Sequence, residues 1–331
     1  MTLRRMLGRF STARRSAAGA VVVMLLGVAL WLLPRETVSP PVSTATPVAT
    51  LPATPTPSLT PGPTPTPAPT ATPEPDPDEV NVTVLLIGRD AFAERTAAGQ
   101  SGMNTDMLVV ANIRADGSQI DLISLPRDSV DVPLGDGTSW SRKINSLRAA
   151  RGLPALKRAM STALAVPIDY YAEMTLGDLA RIVNVVGGVT VTLAAPLNDH
   201  HLGISWRAGA NTLDGRTAIL FARSRYADSD YARAERNQLL LIALRDKLLS
   251  GGYDPMALLT SLPGLNTDIP PADMPMLLEL VRRTAGAPIV RKVLAPPEYT
   301  LFTGLAGVRG WISVPDLEAI RAYTDSVFSH P

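Results

Sequence analysis

Between residues 221 and 238 the chain reads FARSRYADSDYARAERNQ, and Arg223, Arg225, Arg233 and Arg236 crowd this stretch beside Asp228, Asp230 and Glu235. The whole chain carries a formal net charge of only +1. Such a local concentration of guanidinium is therefore either neutralised by the acids between the arginines or meant for an external anion. A guanidinium is a planar fork that matches two phosphate oxygens at once. A second set of chemistry-bearing residues lies upstream. LLIGRD places Asp90 just past an apolar run, NTDMLVV carries Asp106 at its start, and ISLPRDS sets Arg127 beside Asp128. Oxygen donors with no His or Cys nearby suit a hard cation such as Mg2+, which keeps several waters and shares phosphate oxygens. Taken singly, each aspartate reads more readily as a turn or cap residue, and spacing alone does not pair Asp90 with Asp106.

The elements that must position these residues follow from periodicity. VNVTVLLIG (80–88) is an apolar, β-branched run that reads as a buried strand. DMLVVANIR and SQIDLISLP, joined through Ala115-Asp116-Gly117, read as a hairpin. Helical patterns follow at Lys143 to Arg151 and Pro154 to Ala165, then a strand at IDYYAEMTL. GDLARIVNVVGG reads as a helix with a glycine stop, GVTVTL as a strand, and LDGRTAILFARSR as a helix capped by Asp214. The longest helix starts at Asp228 to Asp230 and runs to Gly251, and PMLLELVRRT and VPDLEAIRAYTDSVF close the chain as helices. Strands alternating with helices, plus an antiparallel hairpin, predict an α/β/α fold with a mixed sheet covered on both faces. Arg223 and Arg225 then fall at the C-terminal end of one helix, where the dipole favours cations. Arg233 and Arg236 fall in the first two turns of the next, where it disfavours them and favours an anion.

Composition sets the surroundings. The chain has 331 residues and no cysteine, which excludes thiol catalysis, iron–sulfur clusters and thiolate zinc. Five arginines precede Ser16 to Leu33, SAAGAVVVMLLGVALWLL, an uninterrupted apolar or small run. At a helical rise it spans roughly 27 Å, close to the hydrocarbon thickness of a bilayer. The basic flank places residues 1–15 in the cytoplasm and the rest outside. Residues 34–79, rich in Pro and Thr, cannot bury enough apolar surface to fold and favour extended polyproline II. Residues 80–331 remain as one extracytoplasmic domain, which sets aside a nucleic-acid partner for the basic run. His200-His201 in a polar loop reads as a solvated turn, and no Walker loop, GxSxG elbow or HExxH helix occurs.

Taken in order, LLIGRD, NTDMLVV, ISLPRDS, KINS and FARSRYADSDYARAERNQ resemble the LytR–CpsA–Psr family of membrane-anchored cell-wall glycopolymer ligases. The likeness covers essentially the whole outer domain, NTDIPPADMPMLLELV and the closing helix included. The resemblance implies an α/β/α domain holding a polyprenyl pyrophosphate lipid, its tail in an apolar pocket between sheet and helices. It implies Mg2+ (or Mn2+) at Asp90 and Asp106. It implies pyrophosphate contacts from Arg127, Lys143, Arg223, Arg225 and Arg233, with Arg236 and Asn237 in the same motif. The implied reaction is a phosphotransferase-type transfer of a glycopolymer from the lipid carrier to peptidoglycan. Arg127, Arg223 and Arg225 would stabilise the charge growing on the departing lipid pyrophosphate, and a carboxylate, Asp90 or Asp128, would take the acceptor's proton. Two other outcomes fit the same residues: hydrolysis of the lipid pyrophosphate with water as acceptor, and a non-catalytic regulator that only holds the lipid. The chain departs from the family pattern at Arg89 and Phe92, near the expected metal, at Asn237, where glutamine is usual, and at Ala232, which replaces a common glycine.

Overall fold

The computed structural model describes residues 81–90, 104–225, 229–261 and 265–328. The expected anchor and linker, and also Phe92 and Asp228, lie outside the described residues. Among the described residues no helix is long and apolar enough to cross a membrane. In chain order the elements are β1 (Val82–Arg89), β2 (Thr105–Ile113), β3 (Ile120–Ser124), the short pair β4 (Val132–Pro133) and β5 (Ser139–Trp140), α1 (Leu147–Leu164), β6 (Tyr170–Thr175) and α2 (Leu176–Val185). Then follow β7 (Val189–Leu193), β8 (Leu197–Asp199), β9 (Ile204–Trp206), β10 (Gly209–Leu213), α3 (Gly215–Arg223), α4 (Asp230–Ser250) and α5 (Pro255–Thr260). The chain closes with β11 (Asn266–Thr267), α6 (Met274–Arg283), β12 (Ile289–Val293), the hairpin β13 (Thr300–Leu305) and β14 (Trp311–Pro315), and α7 (Leu317–Phe328).

The central sheet has the order β11-β6-β1-β2-β3-β12. Strand β2 is antiparallel to both β1 and β3, while β1 runs parallel to β6 and β3 parallel to β12, so the sheet is mixed. Its faces sort by alternation. Leu85 and Ile87 of β1 pack with Leu156 and Met160 of α1 and Ile320 of α7. On the other face Leu86 packs with Leu241 and Ile242 of α4, and Val84 with Met274, Leu277 and Leu280 of α6. Both faces are thus covered by helices, as the alternation of strand and helix patterns predicts. A third cluster joins α2, α3 and β7 to α4, with Phe221 and Trp206 edge to face at 5.3 Å.

Local chemistry explains the boundaries. At α2, Thr175 Oγ1 accepts from the Asp178 amide (3.1 Å) and the Asp178 carboxylate accepts from the Thr175 amide (2.9 Å), a reciprocal capping box. Gly187 and Gly188, at φ 79° and 92°, stop that helix where a side chain would be strained. Asp214 caps α3 and Ser229 caps α4. The two expected helices at 143–165 meet in α1, which is kinked at Gly152 (φ 82°, ψ 175°) just before Pro154.

The C-terminal part holds more strand than its two expected helices. IVRKV forms β12 on the sheet edge, and β13 and β14 pair as a separate hairpin. Among the described residues only one side of β12 has a neighbour, Arg291 stays exposed and Lys292 half-buried, and this polar edge strand lacks the apolar run that marks β1.

Helices α2 and α3 approach closely at Gly215. Its N–H donates to Asn184 Oδ1 (2.8 Å), and a Cβ there would sit 2.2 Å from the Ala180 carbonyl oxygen. Gly215→Ala should cost about 1–3 kcal/mol through overpacking, read from denaturant unfolding with an unchanged m-value. A variant as stable as the parent would mean that the helices can part freely.

Candidate functional site

Strands β1, β3 and β6 point the same way, and their C-terminal ends meet at one edge of the sheet. Open α/β sheets bind ligands at such an edge. Asp90 follows β1, Arg127 and Asp128 lie just beyond β3, and β6 runs into the capped start of α2. Between β1 and β2 the register slips: Gly88 pairs with Met107 but Arg89 with Thr105, leaving Asp106 as an inserted residue. Such a bulge re-aims a side chain. Strict alternation would put Asp106 and Met107 on opposite faces, yet both line one cavity of about 560 Å3.

That cavity gathers most of the residues singled out from the sequence. Asp90, Asp106, Arg127, Asp128, Lys143, Arg223, Arg225, Arg233 and Asn237 all line it. Five cationic side chains face three carboxylates on the lining, and with Asp230 beside Arg127 and Arg233 an excess of one positive charge remains, which favours an anion. Arg127 is the hub: its guanidinium bonds Asp106, its Nε lies 2.9 Å from Asp230 and 4.0 Å from Asp128. Lys143 Nζ lies 3.1 Å from Asp128, and Arg223 Nη2 lies 3.5 Å from Asp90.

Burial alone would push the Arg127 pKa down, but Asp106, Asp230 and Asp128 outweigh it and raise it. Arg233 stands the other way. Burial and the charge of Arg127 push its pKa down more than Asp230, 3.3 Å away, restores it. A guanidinium does not release its proton in a protein. The lowered value therefore marks a cation short of negative charge, and its Nε has no hydrogen-bond partner among the described residues. An anion in the cavity would supply what it lacks.

Two of the named residues point elsewhere. Arg236 is buried away from the cavity and donates through Nη2 to the Ser224 carbonyl. Helical spacing accounts for this: Arg233, Asn237 and Leu241, four residues apart, form the cavity stripe of α4, and Arg236 lies off it. Arg89 also turns from the cavity. Its Nε lies 3.1 Å from Glu173, a buried carboxylate that Arg148 approaches at 2.7 Å from α1, so this departure from the family pattern occupies the opposite face of the sheet.

Residues that the sequence did not single out complete the walls. Asn104 and Asn145, adjacent to Thr105 and Ile144, line the cavity from within the NTD and KINS motifs, and Leu202 closes it from the β8–β9 turn. Gln238 is fully buried and its Nε2 meets the Leu122 carbonyl (3.1 Å), Ser124 Oγ (2.8 Å) and the Lys292 carbonyl (3.0 Å), pinning α4 to β3 and β12. The four-residue repeat Arg233-Asn237-Leu241 was the one signal that could have separated these roles.

The donor set fits a hard divalent cation. Asp90 and Asp106 neighbour the cross-strand pair Arg89–Thr105, so both carboxylates stand at the same corner of the cavity. Among the described residues no group of three or more His, Cys, Asp or Glu could hold a metal by itself. Two carboxylates with the balance from phosphate and water is the habit of Mg2+.

A second cavity, of about 290 Å3, lies between the sheet and helices α4 and α6, lined by Leu86, Leu122, Leu248, Leu277 and other apolar side chains. Met174 and Leu241 belong to the walls of both cavities. The charged cavity and the apolar one are therefore neighbours along the α4 stripe.

The LytR_cpsA_psr family profile matches residues 66–274. The chain belongs to this family. It is 31% identical over 172 residues, 51% of this chain and 54% of the relative, to the Enterococcus faecalis polyisoprenyl-teichoic acid–peptidoglycan teichoic acid transferase TagU. It is 29% identical over 180 residues, 52% of this chain and 54% of the relative, to the Bacillus subtilis transferase TagT. The chain spans about half the length of the curated relatives it matches. Among solved structures, TagT bound to LI-WTA superposes with a TM-score of 0.58 at 22% identity, covering 77% of this chain and 92% of that one. Bacillus subtilis TagV superposes at 0.59 with 21% identity, covering 77% and 99%. These likenesses establish the LytR–CpsA–Psr fold.

The Arg127–Asp230–Arg233 arrangement gives a pH test. Burial raises the Asp230 pKa, but Arg233 and Arg127 outweigh it and hold the carboxyl below its usual range. Its contribution is thus complete above about pH 4 and lost as pH falls through the depressed folded value. Asp230→Asn should cost about 2 kcal/mol at pH 7, and the gap to the parent should shrink below about pH 4. Urea unfolding across a pH series reads this. A gap that persists unchanged into acid would remove Asp230 from the balance of charge around the two arginines.

Proposed function

We propose that this chain is a membrane-anchored transferase that moves a glycopolymer from a polyprenyl-pyrophosphate carrier to peptidoglycan on the outer side of the membrane. One observation carries the reading: a cationic cavity borders an apolar one through Met174 and Leu241. A lipid pyrophosphate has that same division, a multiply charged head joined to a long hydrocarbon chain. The relatives' names supply the polymer class and the acceptor, and the Arg-flanked apolar run at Ser16 to Leu33 supplies the anchor.

In this reading Arg127, Lys143, Arg223, Arg225 and Arg233 hold the pyrophosphate oxygens, with Asn237 beside them. An acceptor hydroxyl attacks the phosphorus that bears the glycopolymer, the bridging P–O bond breaks, and the lipid phosphate leaves with the electron pair. A phosphotransferase-type transfer therefore releases the lipid monophosphate and not the lipid pyrophosphate that cleavage of the sugar–phosphate bond would release. The guanidinium groups stabilise the charge that grows on the leaving oxygen, in a site already organised before the reaction. Mg2+, held by Asp90 and Asp106, supplies further neutralisation of the phosphate oxygens when bound. With those two carboxylates on the metal, Asp128 is the cavity carboxylate left to take the acceptor's proton.

Full-length protein in proteoliposomes should move a lipid-linked oligosaccharide onto added peptidoglycan in Mg2+, and Arg223→Ala should lower kcat/KM about 100-fold or more. Glycan released into water at the same rate with or without peptidoglycan would make the protein a hydrolase instead. Tight lipid binding with no turnover over a range of acceptors and metals would make it a regulator.

The junction of the two cavities can be tested apart from the chemistry. Leu241→Trp fills the shared wall, so binding of a long-chain polyprenyl pyrophosphate should weaken about 10-fold or more while that of inorganic pyrophosphate stays within about twofold. Equal loss for both ligands would mean that the tail does not pass this point.

A further inference from the structure

We propose that Asp199 is the positioning residue of the arginine arm, the buried carboxylate that fixes where Arg223 and Arg225 present their guanidinium groups. The inference rests on the anion-binding role proposed above and adds a residue from a stretch whose sequence carries no recognisable motif.

The arm needs an external support. Arg223 is the last residue of α3, Ser224 has left helical geometry (φ −55°, ψ 127°), and Arg225 lies beyond it. The Ser224 amide still bonds back to the Leu220 carbonyl (2.9 Å), but the Arg225 amide goes to Asp199 Oδ2 (3.2 Å). Ser224 Oγ donates to the same oxygen (2.8 Å). The other carboxylate oxygen accepts from the His201 and Leu202 amides, both at 3.1 Å. Each oxygen of Asp199 thus takes two donors. One pair comes from the arginine arm, the other from the β8–β9 turn whose Leu202 lines the cavity.

Asp199 and Ser224 are both fully buried, so solvent does not replace these bonds when they are lost. From the opposite side Arg236 donates to the Ser224 carbonyl, which clamps the residue between Arg223 and Arg225 against α4. A carboxylate is required rather than an amide, because only an acceptor-only group satisfies four converging donors. An asparagine of the same shape must turn its NH2 toward one of the two pairs. Either the arm or the turn then faces a donor with a donor, and the buried N–H groups there lose their partner.

The expected result is that Asp199→Asn weakens binding of inorganic pyrophosphate in Mg2+ to the full-length protein about 10-fold or more, on the scale of lost outer supports to a bound group. Isothermal titration at a temperature where circular dichroism shows the variant folded reads the affinity. Stability alone would move Tm and leave the affinity of the folded protein unchanged, and that outcome overturns the proposal. A cycle against the double variant Arg223→Ala/Arg225→Ala gives the second readout. If Asp199 works through the arm, Asp199→Asn should add little, about threefold or less, once both guanidinium groups are gone. Fully additive losses would overturn the proposal. Should Asp199→Asn not fold, Ser224→Ala removes one donor and leaves the carboxylate. It should weaken pyrophosphate about threefold, in line with one hydrogen bond, and unchanged affinity would count against the brace. Absence of pyrophosphate binding by the wild-type protein would overturn the proposed function and this inference with it. Binding by the wild type with no change in the variants would overturn the inference alone.

Discussion

The site depends on holding several guanidinium groups close together. Arg127 and Arg233 are near enough that each lies in the other's field, and both are largely buried. Like charges in a medium of low dielectric repel strongly, so the surrounding fold must supply negative charge without filling the space an anion would occupy. Asp230 does this from the first turn of α4, where a carboxylate also suits the helix dipole. Asp106 and Asp128 do it from the strand ends. The balance is uneven by design of the geometry. Arg127 is overcompensated and Arg233 undercompensated. The first behaves as a structural hub joining β2, β3 and α4, and the second keeps a deficit of negative charge around it.

The sheet's alternation then decides which residues can share the cavity. Leu86, Gly88 and Asp90 fall on the α4 face of β1, and Leu85, Ile87 and Arg89 on the α1 face. Arg89 therefore joins Glu173 and Arg148 in a buried cluster behind the sheet, and the cation next to Asp90 in sequence is not next to it in function. On β2 the bulge at Asp106 breaks alternation where the cavity requires two successive side chains. Gly88 makes room for that arrangement, since a Cβ there would lie 3.0 Å from Met107 Cβ.

Much of this was legible in the sequence, and the part that was not has identifiable causes. The strand and helix periods of β1, β2, β3, α2, α3 and α4 are strong because both sheet faces are covered and the helices carry clear caps. The arginine stretch and the three aspartates stood out in the sequence, and the structure brings Arg223, Arg225, Arg233 and the aspartates, but not Arg236, to one cavity. The strand β12 was not readable, because a short edge strand with Arg291 and Lys292 at its centre has no apolar signature. Arg236 could be separated from Arg233 only by helical phase, once the helix start was fixed at Ser229. Asp199 was hidden altogether. Its donors include His201 and Leu202, two and three residues on, but also Ser224 and Arg225, a contact that no local pattern announces.

Helix α4 lines the charged cavity and the apolar one together. Its cavity stripe runs Arg233, Asn237, Leu240 and Leu241, and continues to Leu248 in the apolar cavity. Polarity changes along the axis rather than around it, which is why the helix does not sort into simple polar and apolar faces. Such a stripe works only if the helix cannot slide or rotate against the sheet, since a rotation of one residue would swap Arg233 for a neighbour that points elsewhere. Gln238 prevents this through its contacts to β3 and β12, both of which run toward the site. Asn237, adjacent to that anchor, keeps its place on the cavity wall although it is one methylene shorter than the family's usual glutamine. The shorter side chain reaches less far into the cavity that Arg233, a buried cation whose neighbouring carboxylates do not fully offset its burial, also lines.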